Sequence, residues 1–147
     1  MNITKTARAH WEGNIKEGKG TITTESGALN NQPYSFKKRF GDEKGTNPEE
    51  LIGAAHAGCF SMAFSGELFK AGITARSIDT EAQVTLVKEG EGLKISKSHL
   101  VVSVDAMGAD ESKIRAAAES AKANCPISKV LNAEVSMDFR INHAKAA

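Results

Sequence analysis

Cysteine is scarce in this chain of 147 residues: there are two, Cys59 and Cys125, standing 66 positions apart. A chain of this length can bury a hydrophobic core as one domain without covalent staples, so neither cysteine is needed to hold the fold together. No Cys-X-X-Cys pair is present, and the element order read below lacks the βαβ start of a thioredoxin fold, which argues against thioredoxin-type exchange. Zinc is poorly served too, because two thiols and His56 supply three ligands at most, without paired spacing. An excess of one charge is also missing. Lys and Arg number 19 against 18 Asp and Glu, and the basic residues are scattered rather than gathered into a stripe, so nucleic acid is not an expected partner. The longest apolar run, Leu51 to Phe64, is broken by His56 and falls short of the ~20 residues a bilayer requires, so no membrane span is expected. The N-terminal MNITKTARAHWEG lacks the continuous apolar stretch of a secretion signal. A cytoplasmic location is the expectation, and there two cysteines are more often free, metal-bound or catalytic than bridged. With no linker, repeat or low-complexity segment, one domain over residues 1–147 is expected, ending in a loose tail, HAKAA.

What is present is strong patterning. Ile3 to Trp11 alternates apolar and polar residues, and Thr21 to Thr24 follows a Gly-rich turn at Gly18 to Gly20, which predicts an N-terminal hairpin. Tyr34, Phe36, Lys38 and Phe40 predict a third short strand entering after Pro33. Asn47 as N-cap, Pro48 at the first helical position and Glu50 as capping-box partner then predict a helix to Ala71, stopped by Gly72. Its middle, from Ala54 to Phe64, has almost no polar face, so it should be enclosed on all sides. A sheet can cover one face; the Ala/Gly/Cys face needs another neighbour, most simply the same helix of a second subunit. Ile78 to Leu86 alternates as a half-exposed strand, KEGEG (88–92) turns it back, and a change of phase between Lys97 and His99 predicts a bulge. Asp110 caps a second helix that ends near Cys125, ahead of Pro126, and Ala133 to Ile141 alternates as a final strand. The order of strands, long buried helix, two strands, helix and strand is α+β.

Cys59, in mid-helix, is readable as a small packing hydrophobe. Cys125 can act as N-cap of a short helix through Leu131, where the helix dipole favours thiolate. Both thiols point inward from different elements. His56, three residues before Cys59, can either reach the thiol or serve as a core histidine. Glu49 and Glu50 are ordinary first-turn acids, and Arg39 in KKRF reads first as a surface charge. Three functions fit these residues: a dithiol redox enzyme, a non-catalytic dimer holding a small apolar ligand, and a Cys59/His56 acyl-transfer site whose oxyanion hole cannot be located.

TNPEELIGAAHAGCFSMA after an RF pair, together with CPISKVL, resembles the OsmC/Ohr family of thiol-dependent hydroperoxide reductases, and more the OsmC branch than the Ohr branch, which tends to read Cys-Pro-Tyr-Ser. The resemblance covers essentially the whole chain. It implies an intertwined homodimer in which Cys59 is the peroxidatic nucleophile and Cys125 the resolving thiol. Glu49 in NPEE and Arg39 in RF match the family's acid and arginine, and Gly58 stands where alanine is expected. The resemblance also implies an organic hydroperoxide substrate, a dithiol reductant such as a lipoyl-type group, and no cofactor. Flanking small residues, with Phe60 and Met62, suggest an apolar or aryl hydroperoxide. Because Glu49 lies ten positions from Cys59, about 15 Å along a helix, the Arg39–Glu49 pair is expected to serve the thiol across a dimer.

Overall fold

The elements in chain order are β1 (Ala7–Glu12), β2 (Lys19–Thr24), β3 (Gln32–Ser35), α1 (Phe36–Phe40), α2 (Pro48–Lys70), β4 (Ser77–Glu89), β5 (Gly92–Asp105), α3 (Glu111–Asn124), α4 (Pro126–Val130) and β6 (Glu134–Asn142). This computed structural model describes residues 1–142, so the tail HAKAA lies outside the described residues. The expected α+β class is observed. The chain forms two compact units, one ending at Leu51 and the other beginning at Ile52.

In the first unit β1, β2 and β3 form an antiparallel sheet in that order. β1 begins only at Ala7, so Ile3 and Lys5 of the expected alternation lie outside it. The hairpin turn sits earlier than the glycines suggested: Asn14 Oδ1 accepts from the Lys16 and Glu17 amides at 3.0 and 2.9 Å, and Lys19 and Gly20 already belong to β2. Gly20 is required there by close approach, because a Cβ would stand 2.6 Å from the Tyr34 ring and 2.9 Å from Trp11. Those rings pack with centroids 5.3 Å apart. The third strand ends sooner than expected. Ser35 Oγ accepts from the Lys38 amide at 3.2 Å, so residues 36–40 turn into a helix instead of continuing the strand. The Phe36 and Phe40 rings, one turn apart, meet at 4.7 Å.

The predicted cap of α2 is present: Asn47 Oδ1 accepts from the Glu50 amide at 2.9 Å, and Gly72 takes φ +74 just past the helix end. Within the second unit Gly53, His56, Phe60, Phe64 and Leu68 form the buried stripe of α2. It shares one core with Leu100, Val102 and Val104 of β5 and with Ile114, Ala117, Ala118 and Ala121 of α3. Phe64 and Phe139 meet edge to face at 5.6 Å. The sheet runs β4-β5-β6, the first pair antiparallel and the second parallel. The parallel pairing is possible because α3 and α4 carry the chain back to the start of the sheet. The bulge lies at Ser96: Thr85 pairs with Lys97 and Leu86 with Ile95, leaving one β5 residue extra, slightly ahead of the expected position. The expected enclosure of α2 is not reached within one chain. Ala54, Ala55, Gly58, Met62 and Phe69 are exposed, Met62 and Phe69 at 75% and 78%. Among the described residues no helix is long and apolar enough to cross a membrane.

Candidate active site

The four residues singled out from sequence fall into two pairs, and each pair is brought together. In the first unit, Arg39 closes α1 and Glu49 opens α2. Arg39 Nε donates to Glu49 Oε2 at 3.1 Å and Nη2 to Oε1 at 2.7 Å, the parallel fork that fixes a guanidinium plane. Burial pushes the Glu49 carboxyl up, but the Arg39 hydrogen bonds and charge outweigh it, so the carboxyl sits below its ordinary range. The same hydrogen bonds raise Arg39. Both therefore stay charged throughout the neutral range. Beside them Trp11, Tyr34, Phe36, Phe40 and Pro48 line an apolar cavity of about 280 Å³, with Arg39 on its wall and its guanidinium carbon 5.0 Å from the Phe40 ring centroid. These aromatics were not singled out beforehand. Phe60 and Met62 were, as pocket-lining groups, but they do not share a pocket: Phe60 is fully buried in the core and Met62 stands on the open face of α2.

In the second unit the peptide after α3 places Cys125 as the residue before Pro126, fully buried, while Cys59 from mid-α2 is partly exposed; both thiols are free and interact directly. Burial raises the Cys59 thiol, and its neighbour Cys125 raises it further, against a lowering by the Ile127 amide. Burial also acts to raise Cys125, but the Ser128 amide, the Cys59 thiol, the Ser128 hydroxyl and the Ile127 amide together bring it below its ordinary value. As the N-cap residue of α4, Cys125 makes no side-chain capping hydrogen bond. A cation brought to Cys59 would favour its thiolate against both burial and the neighbouring thiol.

His56 is completely buried and reaches neither thiol. Its Nδ1 lies 2.7 Å from Ser98 Oγ and its Nε2 2.8 Å from Ser128 Oγ, so the core reading holds, with two hydroxyl partners that the sequence did not announce. Burial lowers its pKa. The unfolded chain therefore takes up a proton near the ordinary value of about 6.5 while the folded one resists it, and stability falls as pH drops below that value. Urea unfolding midpoints measured at pH 7.5 and 5.5 should show a lower value at pH 5.5, and a His56→Gln protein should lose most of that difference.

The α+β chain thus holds two distant cysteines as free neighbours and, separately, an arginine clamped by a carboxylate. Comparison with known proteins gives the family. A family model described as OsmC-like protein matches residues 41–140, and the chain belongs to that family. It is 55% identical over 141 residues, 96% of this chain and 99% of the relative, to Peroxiredoxin OsmC of Escherichia coli strain K12. It is 29% identical over 124 residues, 83% of this chain and 88% of the relative, to the organic hydroperoxide resistance protein OhrB of Bacillus subtilis. The structure of an OsmC-like protein from Vibrio cholerae superposes with a TM-score of 0.75 at 19% identity, covering 94% of this chain and 99% of that one, which shows the shared fold.

Proposed function

We propose that this OsmC-family protein is a thiol-dependent peroxidase that reduces organic hydroperoxides to alcohols in defence against oxidative stress. The observation that carries the reading is the direct meeting of Cys59 and Cys125, which are 66 residues apart in the chain. The Cys59 thiolate attacks the outer oxygen of ROOH; the O–O bond breaks, the alkoxide takes a proton to leave as ROH, and Cys59 becomes the sulfenic acid. Cys125 displaces the sulfenic oxygen as water and closes the disulfide. A dithiol reductant, a lipoyl-type group among the candidates, reopens it by exchange and is itself oxidised to a disulfide. The aromatic cavity beside Arg39 favours an alkyl or aryl hydroperoxide over hydrogen peroxide, which has no apolar tail to fill it.

Intact mass after one equivalent of cumene hydroperoxide tests the reading. The parent protein should lose two hydrogens and Cys125→Ser should gain one oxygen, with hydrogen peroxide giving the same products more slowly. A non-catalytic protein that merely holds an apolar ligand would show no mass change.

Two subunits complete the site in this reading. The open Ala54, Ala55, Gly58, Met62 and Phe69 face of α2 is apolar and without side chains at Gly58, where an added Cβ would meet nothing within 4 Å. Such a face suits close packing of a second copy. Arg39 and Glu49 then serve the partner subunit's Cys59, supplying a cation that favours its thiolate. Met62→Glu is expected to convert a dimer into a monomer of 15.6 kDa by light scattering. An unchanged dimer would move the interface away from this face.

A further inference from the structure

Besides Cys125, three side chains with hydrogen-bonding or titratable groups are buried among the described residues: His56, Ser98 and Asp105. Two of them bond each other, and the peroxidase steps above leave both without a role. His56 connects the elements on which resolution depends. It stands three residues before Cys59 on α2, its Nε2 meets Ser128 of α4 at 2.8 Å, and Ser128 stands three residues after Cys125. Its Nδ1 is anchored to Ser98 of β5 at 2.7 Å.

Proton counting leaves two ways for these bonds to run. A neutral imidazole has one donor and one acceptor nitrogen, and a hydroxyl has one proton. Ser128 stands three residues after Cys125 and its hydroxyl lowers the Cys125 thiol; it can direct its one proton to His56 Nε2 or to the Cys125 sulfur, not to both. If Nε2 carries the ring proton, Ser128 accepts from His56 and its hydroxyl is free to donate to sulfur, while Ser98 donates to Nδ1. The opposite tautomer would turn the Ser128 proton away from Cys125.

We propose that Ser98, His56 and Ser128 form a positioning relay for the resolving thiol, in which His56 Nε2–H donates to Ser128 and the Ser128 hydroxyl donates to Cys125, holding its sulfur as thiolate against Cys59. The step it serves is attack of the Cys125 thiolate on the sulfenic sulfur of Cys59. The S–S bond forms, the S–O bond breaks, and the departing hydroxide takes a proton from solvent to leave as water. Cys125 is oxidised and the Cys59 sulfur reduced. None of the three relay residues touches the peroxide, and in this step the inference rests on the peroxidase reading.

The first test is spectroscopic and needs no turnover. In the intact reduced protein, ¹⁵N shifts of His56 near pH 7 should show Nε2 protonated and Nδ1 bare; the reverse assignment overturns the relay. The second separates the two chemical steps with one equivalent of cumene hydroperoxide. Ser128→Ala should slow disulfide closure roughly 10- to 100-fold, the scale of losing a hydrogen bond to a charged atom, while sulfenic acid formation changes less than about threefold. Sulfinic acid should then accumulate under excess peroxide. Ser128→Thr, which keeps the hydroxyl, should restore most of the closure rate. Closure at the parent rate in Ser128→Ala, or no rescue in a folded Ser128→Thr protein, overturns the assignment. If the parent itself forms no disulfide with peroxide, the peroxidase reading fails, and alkylation of Cys125 by iodoacetamide at pH 7 judges the relay alone. That rate should fall about tenfold in Ser128→Ala if the hydroxyl stabilises the thiolate, and stay the same if it does not.

Discussion

Cys59→Ser is expected to abolish turnover with every hydroperoxide, whereas Cys125→Ser consumes one equivalent per subunit and then stalls. The asymmetry follows from position. Cys59 is the partly exposed thiol of the pair and Cys125 the fully buried one, so peroxide reaches Cys59 first. A hydroxyl at position 59 is not ionised at neutral pH and does not replace a thiolate as nucleophile. A hydroxyl at position 125 leaves the first attack possible but cannot close a disulfide, so after the one fast equivalent the sulfenic acid persists and only slow over-oxidation by excess peroxide follows. Rapid-mixing measurement of peroxide loss against enzyme concentration separates the cases. Equal inertness of the two variants in a single turnover would mean that the nucleophile and resolver roles are wrongly assigned, as would a burst from Cys59→Ser.

Arg39→Ala is expected to lower kcat/KM by on the order of 100-fold or more, the scale of losing one preorganised donor to a developing negative charge. Burial raises the Cys59 thiol and its neighbour Cys125 raises it further, so a guanidinium at that sulfur would act against both. Loss of thiolate alone could be recovered at alkaline pH, but loss of the donor to the leaving oxygen could not, so only partial recovery is expected. Arg39→Lys should recover little. An ammonium keeps the charge but cannot reproduce the two-point bond, at 2.7 and 3.1 Å, through which Glu49 holds the guanidinium plane. Because the pair is proposed to act across the dimer, mixed dimers of Glu49→Ala and Cys59→Ser chains should regain activity, each supplying what the other lacks. Near-normal turnover in a folded, dimeric Arg39→Ala protein would return this residue to the surface and direct attention to Arg8. No complementation in verified heterodimers would place the site within one chain.

What the sequence determined by itself is whatever depends on near neighbours. Asn47 before Pro48 starts α2 and Gly72 stops it, Asp110 caps α3 through the Lys113 amide, and Pro126 makes Cys125 the boundary between α3 and α4. The alternation from Ile78 to Leu86 fixes one face of β4, and the lost phase in β5 signals a bulge within a residue or two. These are contests between local hydrogen bonds and side-chain periods, decided over a few residues. At Phe36–Phe40 the same method failed, because five residues are too few to separate a period of 2 from one of 3.6, and the Ser35 cap and the Phe36–Phe40 pair tipped the segment to helix. Only the tertiary structure decided the rest. It set β6 parallel to β5, turned Phe60 into the core while Met62 faced outward, gathered Trp11, Tyr34, Phe36 and Phe40 beside Arg39, and gave His56 two serines 42 and 72 residues away. Such contacts join segments whose own patterns are indifferent to one another. Their partners are selected by the shape of the whole core and the need to satisfy each buried polar group, and no local period in the chain encodes that.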